Sequence, residues 1–169
     1  TSGYGNDIII GGGQDNIIDA GDGDNVVVGG GENNQITAGN GNNILVGGGK
    51  SNVIKSKDGD DLIFVGGQDN VISTEDGEKV IVAVGQNNNV TTQDTADGKV
   101  SMILSGGQSN NIDTGAGSNV IISAGQTNNI EDKSGDNVVV AFASDNNIKT
   151  GSGNDLILTA ANQNNIETT

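Results

Sequence analysis

The residues of this 169-residue chain with the most chemistry to offer are carboxylates set in glycine-rich turns. They stand at Asp7, at Asp22 and Asp24, at Asp58, Asp60 and Asp61, at Asp76 and Glu78, and again at Asp155, in runs such as Gly21-Asp-Gly23-Asp-Asn25 and Asp58-Gly59-Asp-Asp61. Turns rich in oxygen suit a hard divalent cation, which takes roughly six to eight oxygen ligands. Asp7, Asp24, Asp60, Asp61 and Asp155 are accordingly the candidate metal ligands. Acid–base catalysis fits less well. A carboxylic acid kept protonated near neutrality needs a pocket, and these acids sit on convex turns. With no His and no Cys, neither a nucleophilic triad nor a zinc site of the usual kind can be assembled. The chain is expected to be no enzyme.

The charge balance narrows the partners. Seven Lys face 22 carboxylates, for a formal charge of −15, so nucleic acid and anionic membranes are poor partners, and divalent cations and basic surfaces are better ones. No apolar run reaches the length of a membrane span, and no signal peptide is visible at Thr1.

What positions the acids is a repeat. Asparagine returns at Asn16, Asn34, Asn52, Asn70, Asn88, Asn110, Asn128, Asn146 and Asn164, at steps of 18 residues except for one step of 22 between Asn88 and Asn110. Two residues after each comes a branched aliphatic, from Ile18 to Ile166, and half a period away lies a second aliphatic column, from Ile9 to Ile157. Two short apolar strands per coil, each followed by a turn, describe a flattened solenoid. The fold class is therefore all-β: a parallel β-solenoid, or β-roll, of nine 18-residue coils with two parallel sheets and an Asn ladder in one turn. At roughly 4.8 Å per coil the stack is about 43 Å tall. Low aromatic content and 29 Gly would suit disorder, but strict periodicity does not, and a solenoid needs only a thin core. The absence of proline fits coils that donate every backbone N–H to the next. Residues 1–169 read as a single domain.

The turn before each first strand carries a family resemblance. Gly5-Asn6-Asp7-Ile8-Ile9 and Gly153-Asn154-Asp155-Leu156-Ile157 resemble the nonapeptide G-G-x-G-x-D-x-U-x of RTX proteins, the hemolysin-type calcium-binding β-roll. The resemblance implies that the sixth-position Asp of stacked turns, with turn carbonyls, holds Ca²⁺ between coils. Here the sixth position reads Asp7, Asn25, Asn43, Asp61, Lys79, Ser101, Asn119, Asn137 and Asp155, so no two neighbouring coils both supply Asp, and Lys79 places an ammonium in the row. Ca²⁺ is thus a possible cofactor and not a required one, with the acid-rich turns at Asp22/Asp24, Asp58/Asp60/Asp61 and Asp76/Glu78 obliged to help. The opposite turn departs from the motif, its sixth position being always the neutral asparagine column, which reads as a structural ladder of amides.

Each first strand is apolar at three successive positions, as in Ile8-Ile-Ile10 or Val138-Val-Val140. Side chains alternate between faces, so at least one aliphatic column must point outward: Ile8, Val26, Ile44, Leu62, Val80, Val120, Val138 and Leu156 if the middle residue points in. Such a stripe covers on the order of 300–400 Å², enough to expect self-association or packing through this apolar face. The second strand's inward Ile is flanked by polar residues such as Asp19, Thr37, Lys55, Glu131, Lys149 and Glu167. The repeat runs from Gly3 to Ile166 with no evident cap, which leads to the expectation of a segment of a longer array, or of one that joins end to end. The four-residue insertion near Gln93-Asp-Thr-Ala96 is expected to bulge from a turn.

Two functions follow. The favoured one is a non-catalytic structural segment of a secreted or cell-surface protein: an adhesin, surface-layer, matrix or filament rod. The alternative, implied by the resemblance, is a calcium-responsive module that folds outside the cell after type I secretion. Ice binding, known for RTX-like solenoids, is a minor third reading, because the turn positions that would carry ranks of Thr and Asn are irregular.

Overall fold

The computed structural model describes residues 1–93 and 99–169, and the centre of the insertion, 94–96, lies outside them. Among the described residues there are eighteen strands and no helix. The odd-numbered strands, from β1 (Ile8–Gln14) to β17 (Leu156–Thr159), form one nine-stranded sheet, and the even-numbered strands, from β2 (Ile17–Asp19) to β18 (Asn165–Thr168), form the other. Every neighbouring pair is parallel and offset by one repeat, as in Ile9↔Val27 and Ile18↔Ile36. Val82 still faces Leu104, and Val90 faces Ile112, so the four extra residues leave both registers intact.

The middle residue of each apolar triplet points inward. Val27, Leu45, Ile63, Ile81, Ile103, Ile121 and Val139 stack in one buried column, opposed by Ile36, Ile54, Ile72, Val90, Ile112, Ile130 and Ile148 from the other sheet. Each coil thus buries two branched aliphatics between its neighbours, and the core runs the length of the stack.

Both flanking residues of the triplet then point out on the same face. The expected stripe is two columns wide: Ile8 and Ile10 are each 78% exposed, and Met102 and Leu104 remain 47% and 39% exposed in the middle of the stack. The opposite sheet is polar on one flank of its buried Ile. On the other flank, the early coils carry Ile17, Val53 and the exposed Val71, so the expected polar face begins only farther along.

One glycine per coil fixes the tight turn after the long strand. Gly49 has φ +112°, and a Cβ there would lie 2.0 Å from the Gly31 carbonyl oxygen one coil below. Where this position becomes Ala143 and Ala161, the preceding strands stop early, at Ala141 and Thr159. Immediately before each ladder asparagine lies a non-glycine residue in the left-handed region, from Asp15 (φ 57°) to Gln163 (φ 65°). Asp, Asn and Ser dominate this column, as local side-chain hydrogen bonding favours.

Candidate functional site: the polar ladders of the two turns

The asparagine column is inside the coil. From Asn34 to Asn146 its members are essentially fully buried, and each Oδ1 accepts the backbone N–H of the asparagine one coil earlier at 2.9–3.1 Å, from Asn16 to Asn164 without a break. The Nδ2 atoms donate to turn carbonyls, as Asn52 does to Gly31 and Gly48 at 3.1 and 3.2 Å. Every coil leaves its chain N–H pointing along the stack where the strand turns, and the amide supplies the acceptor that a sheet would otherwise provide. An amide does this without charge, so it can be buried at no ionic cost.

The sixth-position row of the other turn is a second interior ladder. Asp7, Asn25 and Asn43 donate their backbone N–H to the Oδ1 of Asn25, Asn43 and Asp61 at 2.9–3.1 Å, and Asn119 and Asn137 donate to Asn137 and Asp155 at 2.8 and 3.0 Å. The amide nitrogens of this row take up the turn carbonyls: Asn25 donates to Gly21 and Gly23, Asn43 to Gly39 and Gly41, Asn119 to Gly117, and Asn137 to Gly135.

The five candidate metal ligands fall into two rows. Asp7, Asp61 and Asp155 belong to the interior ladder. Asp24 and Asp60 lie on the exposed shoulder of the turn, where a third ladder runs in the opposite sense: Asn6, Asp24, Asn42 and Asp60 accept the backbone N–H of Asp24, Asn42, Asp60 and Glu78 at 2.8–2.9 Å. Lys99 also reaches Asp60 at 3.0 Å, and that contact, with the Glu78 N–H, holds the Asp60 carboxyl below its ordinary pKa while raising that of Lys99. Asp60 and Asp61 are sequence neighbours pointing to different rows. Among the described residues, no three acidic side chains converge as a metal centre would require.

Asp61 is fully engaged. Its Oδ1 accepts from the N and Nδ2 of Asn43 at 2.9 and 3.1 Å, and its Oδ2 forms a buried ion pair with Lys79 Nζ at 2.7 Å. At these levels of the row, the oxygens that would have to coordinate a cation are instead receiving N–H groups. The Asn25, Asn43, Asp61–Lys79, Asn119 and Asn137 levels therefore do not fit Ca²⁺, because amide N–H groups or an ammonium fill the space before the turn carbonyls and the several carboxylates a hard divalent ion takes are not there.

Two features escaped sequence reasoning. Asp132 is buried in a column otherwise made of Ala, Ser and Thr, accepting from Thr114, from Asn119 at 2.8 Å and from Asn137 at 2.8 Å. Burial pushes its carboxyl up to about 6, against the opposing pull of these hydrogen bonds. A fourth ladder lies outside the second sheet, where the Nδ2 of Asn111, Asn129, Asn147 and Asn165 donate to the Oδ1 of Asn89, Asn111, Asn129 and Asn147 at 2.7–2.8 Å. The signal was the Asn-Asn pair of the last five coils, from Asn88-Asn89 to Asn164-Asn165, whose second member is the outward one.

Comparison with known proteins agrees with this architecture. The model of the RTX calcium-binding nonapeptide repeat (4 copies) matches residues 1–36, 37–72 and 123–157. Neither the curated proteins nor the solved structures returned a match. The repeats of that family bind Ca²⁺, and their β-solenoid is a structural, calcium-binding repeat module. With more than half of its length matched and each coil built from two nonapeptides around parallel sheets, the chain belongs to the RTX calcium-binding nonapeptide repeat family.

Proposed function

We propose that this chain is a non-catalytic structural element of a secreted or cell-surface protein, a rod that packs side by side with a second copy through its long-strand sheet. The observation that carries this reading is the two outward apolar columns on one sheet, exposed or half-buried along their whole length. Beside them the sheet continues outward through Gly12, Gly30, Gly48, Gly66, Val84, Gly106 and Ala124, then through Gln14, Glu32, Lys50, Gln68, Gln86 and Gln108. Glycines in the first four coils let a facing sheet approach closely there, and the last column holds a single Glu beside a single Lys, so the −15 of the chain is carried elsewhere. Two of these columns run through nine coils, the third through seven and the fourth through six, and at about 6.7 by 4.8 Å per residue they cover on the order of 1,000 Å². That is at the level of the roughly 800 Å² per partner of a stable dimer.

Sedimentation velocity over a wide concentration range tests it. The wild type is expected to shift from monomer to dimer, and a Leu62→Lys/Val80→Lys/Met102→Lys variant to remain monomeric with an unchanged sheet spectrum. A wild type that stays strictly monomeric contradicts the proposal.

Family membership favours a second reading, a calcium-responsive module that stays unfolded in a low-calcium cytosol and folds after type I secretion. The acidic turns support it, since their mutual repulsion opposes folding until a cation screens it. The interior amide ladders support the first reading, because they complete the coil with no ion.

A further inference from the structure

Lys79 is the largest of the fully buried side chains, with 0% exposure. A buried ammonium is costly unless every proton finds an oxygen, and here four oxygens surround Nζ: Lys57 O at 3.1 Å, Gly59 O, Asp61 Oδ2 at 2.7 Å and Asp76 O at 2.9 Å. Their positions follow a rule set by the rest of the row. Asn25 and Asn43 each donate Nδ2 to the carbonyls four and two residues before themselves. The corresponding carbonyls for Asp61 are Lys57 O and Gly59 O, and a carboxylate has no proton to give them. Lys79, one coil later, supplies the protons and pairs with the carboxylate. The exchange has a cost at the other end: Lys79 offers no acceptor to the Asp61 N–H, which turns to the Glu78 carbonyl at 3.0 Å.

We propose that the Lys79 ammonium is a built-in cation, occupying between two coils the oxygen-lined position that a divalent ion would otherwise have to fill. Asp61 and Lys79 then act as one exchanged pair, Asp61 creating a cation site and Lys79 closing it with a tethered charge that needs no supply from solution. The proposal rests on the metal-free structural reading and sharpens it at one level of the stack. It also assigns the ligand class the position would accept without the lysine: a hard divalent cation, held by one carboxylate and three carbonyls, with water completing the shell.

The test is thermal unfolding of the full chain, followed by circular dichroism in chelator and in 10 mM calcium chloride, a concentration of roughly the order needed for a weak site. Three proteins are compared: wild type, Lys79→Asp, and Asp61→Asn/Lys79→Asn, which installs the neutral residue used elsewhere in the row. Lys79→Asp places two carboxylates across the site. It is expected to be strongly destabilised in chelator and to gain on the order of 5–10 °C in calcium, the shift for a ligand at about a hundred times its dissociation constant in a chain of this size. The double variant is expected to gain no more than wild type. The proposal is overturned if Lys79→Asp gains no more than wild type, if the double variant gains as much as Lys79→Asp, or if Lys79→Asp stays unfolded in calcium while the double variant folds. Wild type in chelator reports separately on the structural reading, so the two can fail independently.

Discussion

Replacing Asn70 by alanine removes one rung from the middle of the interior ladder, and its effect can be worked out bond by bond. Asn70 Oδ1 accepts the Asn52 backbone N–H at 2.9 Å and the Asn52 Nδ2 at 3.1 Å, and Asn70 Nδ2 donates to Asn88 Oδ1 at 3.0 Å and Gly49 O at 3.3 Å. In the Asn70→Ala protein, the Asn52 amide side chain keeps Gly31 and Gly48, and Asn88 Oδ1 keeps the residue-70 backbone N–H. The Asn52 backbone N–H keeps nothing. A buried donor left without a partner costs about 1–3 kcal/mol, and each lost neutral hydrogen bond about 1 kcal/mol more. With one orphaned donor and three other lost bonds, the total is on the order of 4–6 kcal/mol. Asn129→Ala, on the exposed ladder, breaks bonds of 2.7 Å to Asn111 and Asn147, but water replaces them, so its cost is about 0.5–1 kcal/mol. Urea unfolding of both variants gives the comparison, and hydrogen exchange at the Asn52 amide gives the local readout, since a solenoid opens by neighbouring coils. If Asn70→Ala costs no more than Asn129→Ala, or Asn52 stays as protected as in wild type, the ladder does not hold the coils as argued.

Two further outcomes follow from single positions. Gly48→Ala and Gly49→Ala should differ sharply: a Cβ at Gly48 meets nothing closer than 3.9 Å and should be neutral or stabilising by up to about 1 kcal/mol, whereas at Gly49 it meets the Gly31 carbonyl at 2.0 Å and should cost at least about 3 kcal/mol in the same unfolding assay. Asp132, 2% exposed with its carboxyl raised to about 6, keeps in the fold a proton that the unfolded chain releases between its ordinary value near 3.8 and 6. Its ionisation therefore opposes folding fully above about pH 6 and not at all below about pH 4, a difference on the order of 3 kcal/mol. Stability curves of wild type and Asp132→Asn against pH should converge on acidification, with the variant gaining relative to wild type toward pH 7.5, and parallel curves would refute this.

Much of the fold was legible because a solenoid writes its geometry as a period. The aliphatic columns at Ile9 and Ile18 and the asparagine frame give coil length, strand number and parallel pairing before any contact is known. The two-column apolar face was only half legible: alternation requires an outward residue, but that both Ile8 and Ile10 face out depends on the middle one being chosen as core. The sixth-position row was hardest to read. Asp, Asn, Lys and Ser along one line look like a decayed metal row, and only hydrogen-bond direction shows that Asn25 and Asn43 donate into the carbonyls and that Lys79 serves the turn of the coil before its own. Sequence spacing carries no information about which way an amide points. Asp132 was invisible for a different reason: one acid in a column of Ala, Ser and Thr breaks no pattern strongly enough to show.

A metal-free fold needs coils closed by their own amides and, at one level, by a tethered ammonium. Far-UV circular dichroism of the isolated chain in excess chelator, followed by addition of millimolar calcium, tests this most directly. Such a fold requires a β-sheet spectrum and a cooperative thermal transition already present in chelator. A disordered spectrum that becomes β-sheet only on adding calcium would contradict it and establish the calcium-responsive reading instead.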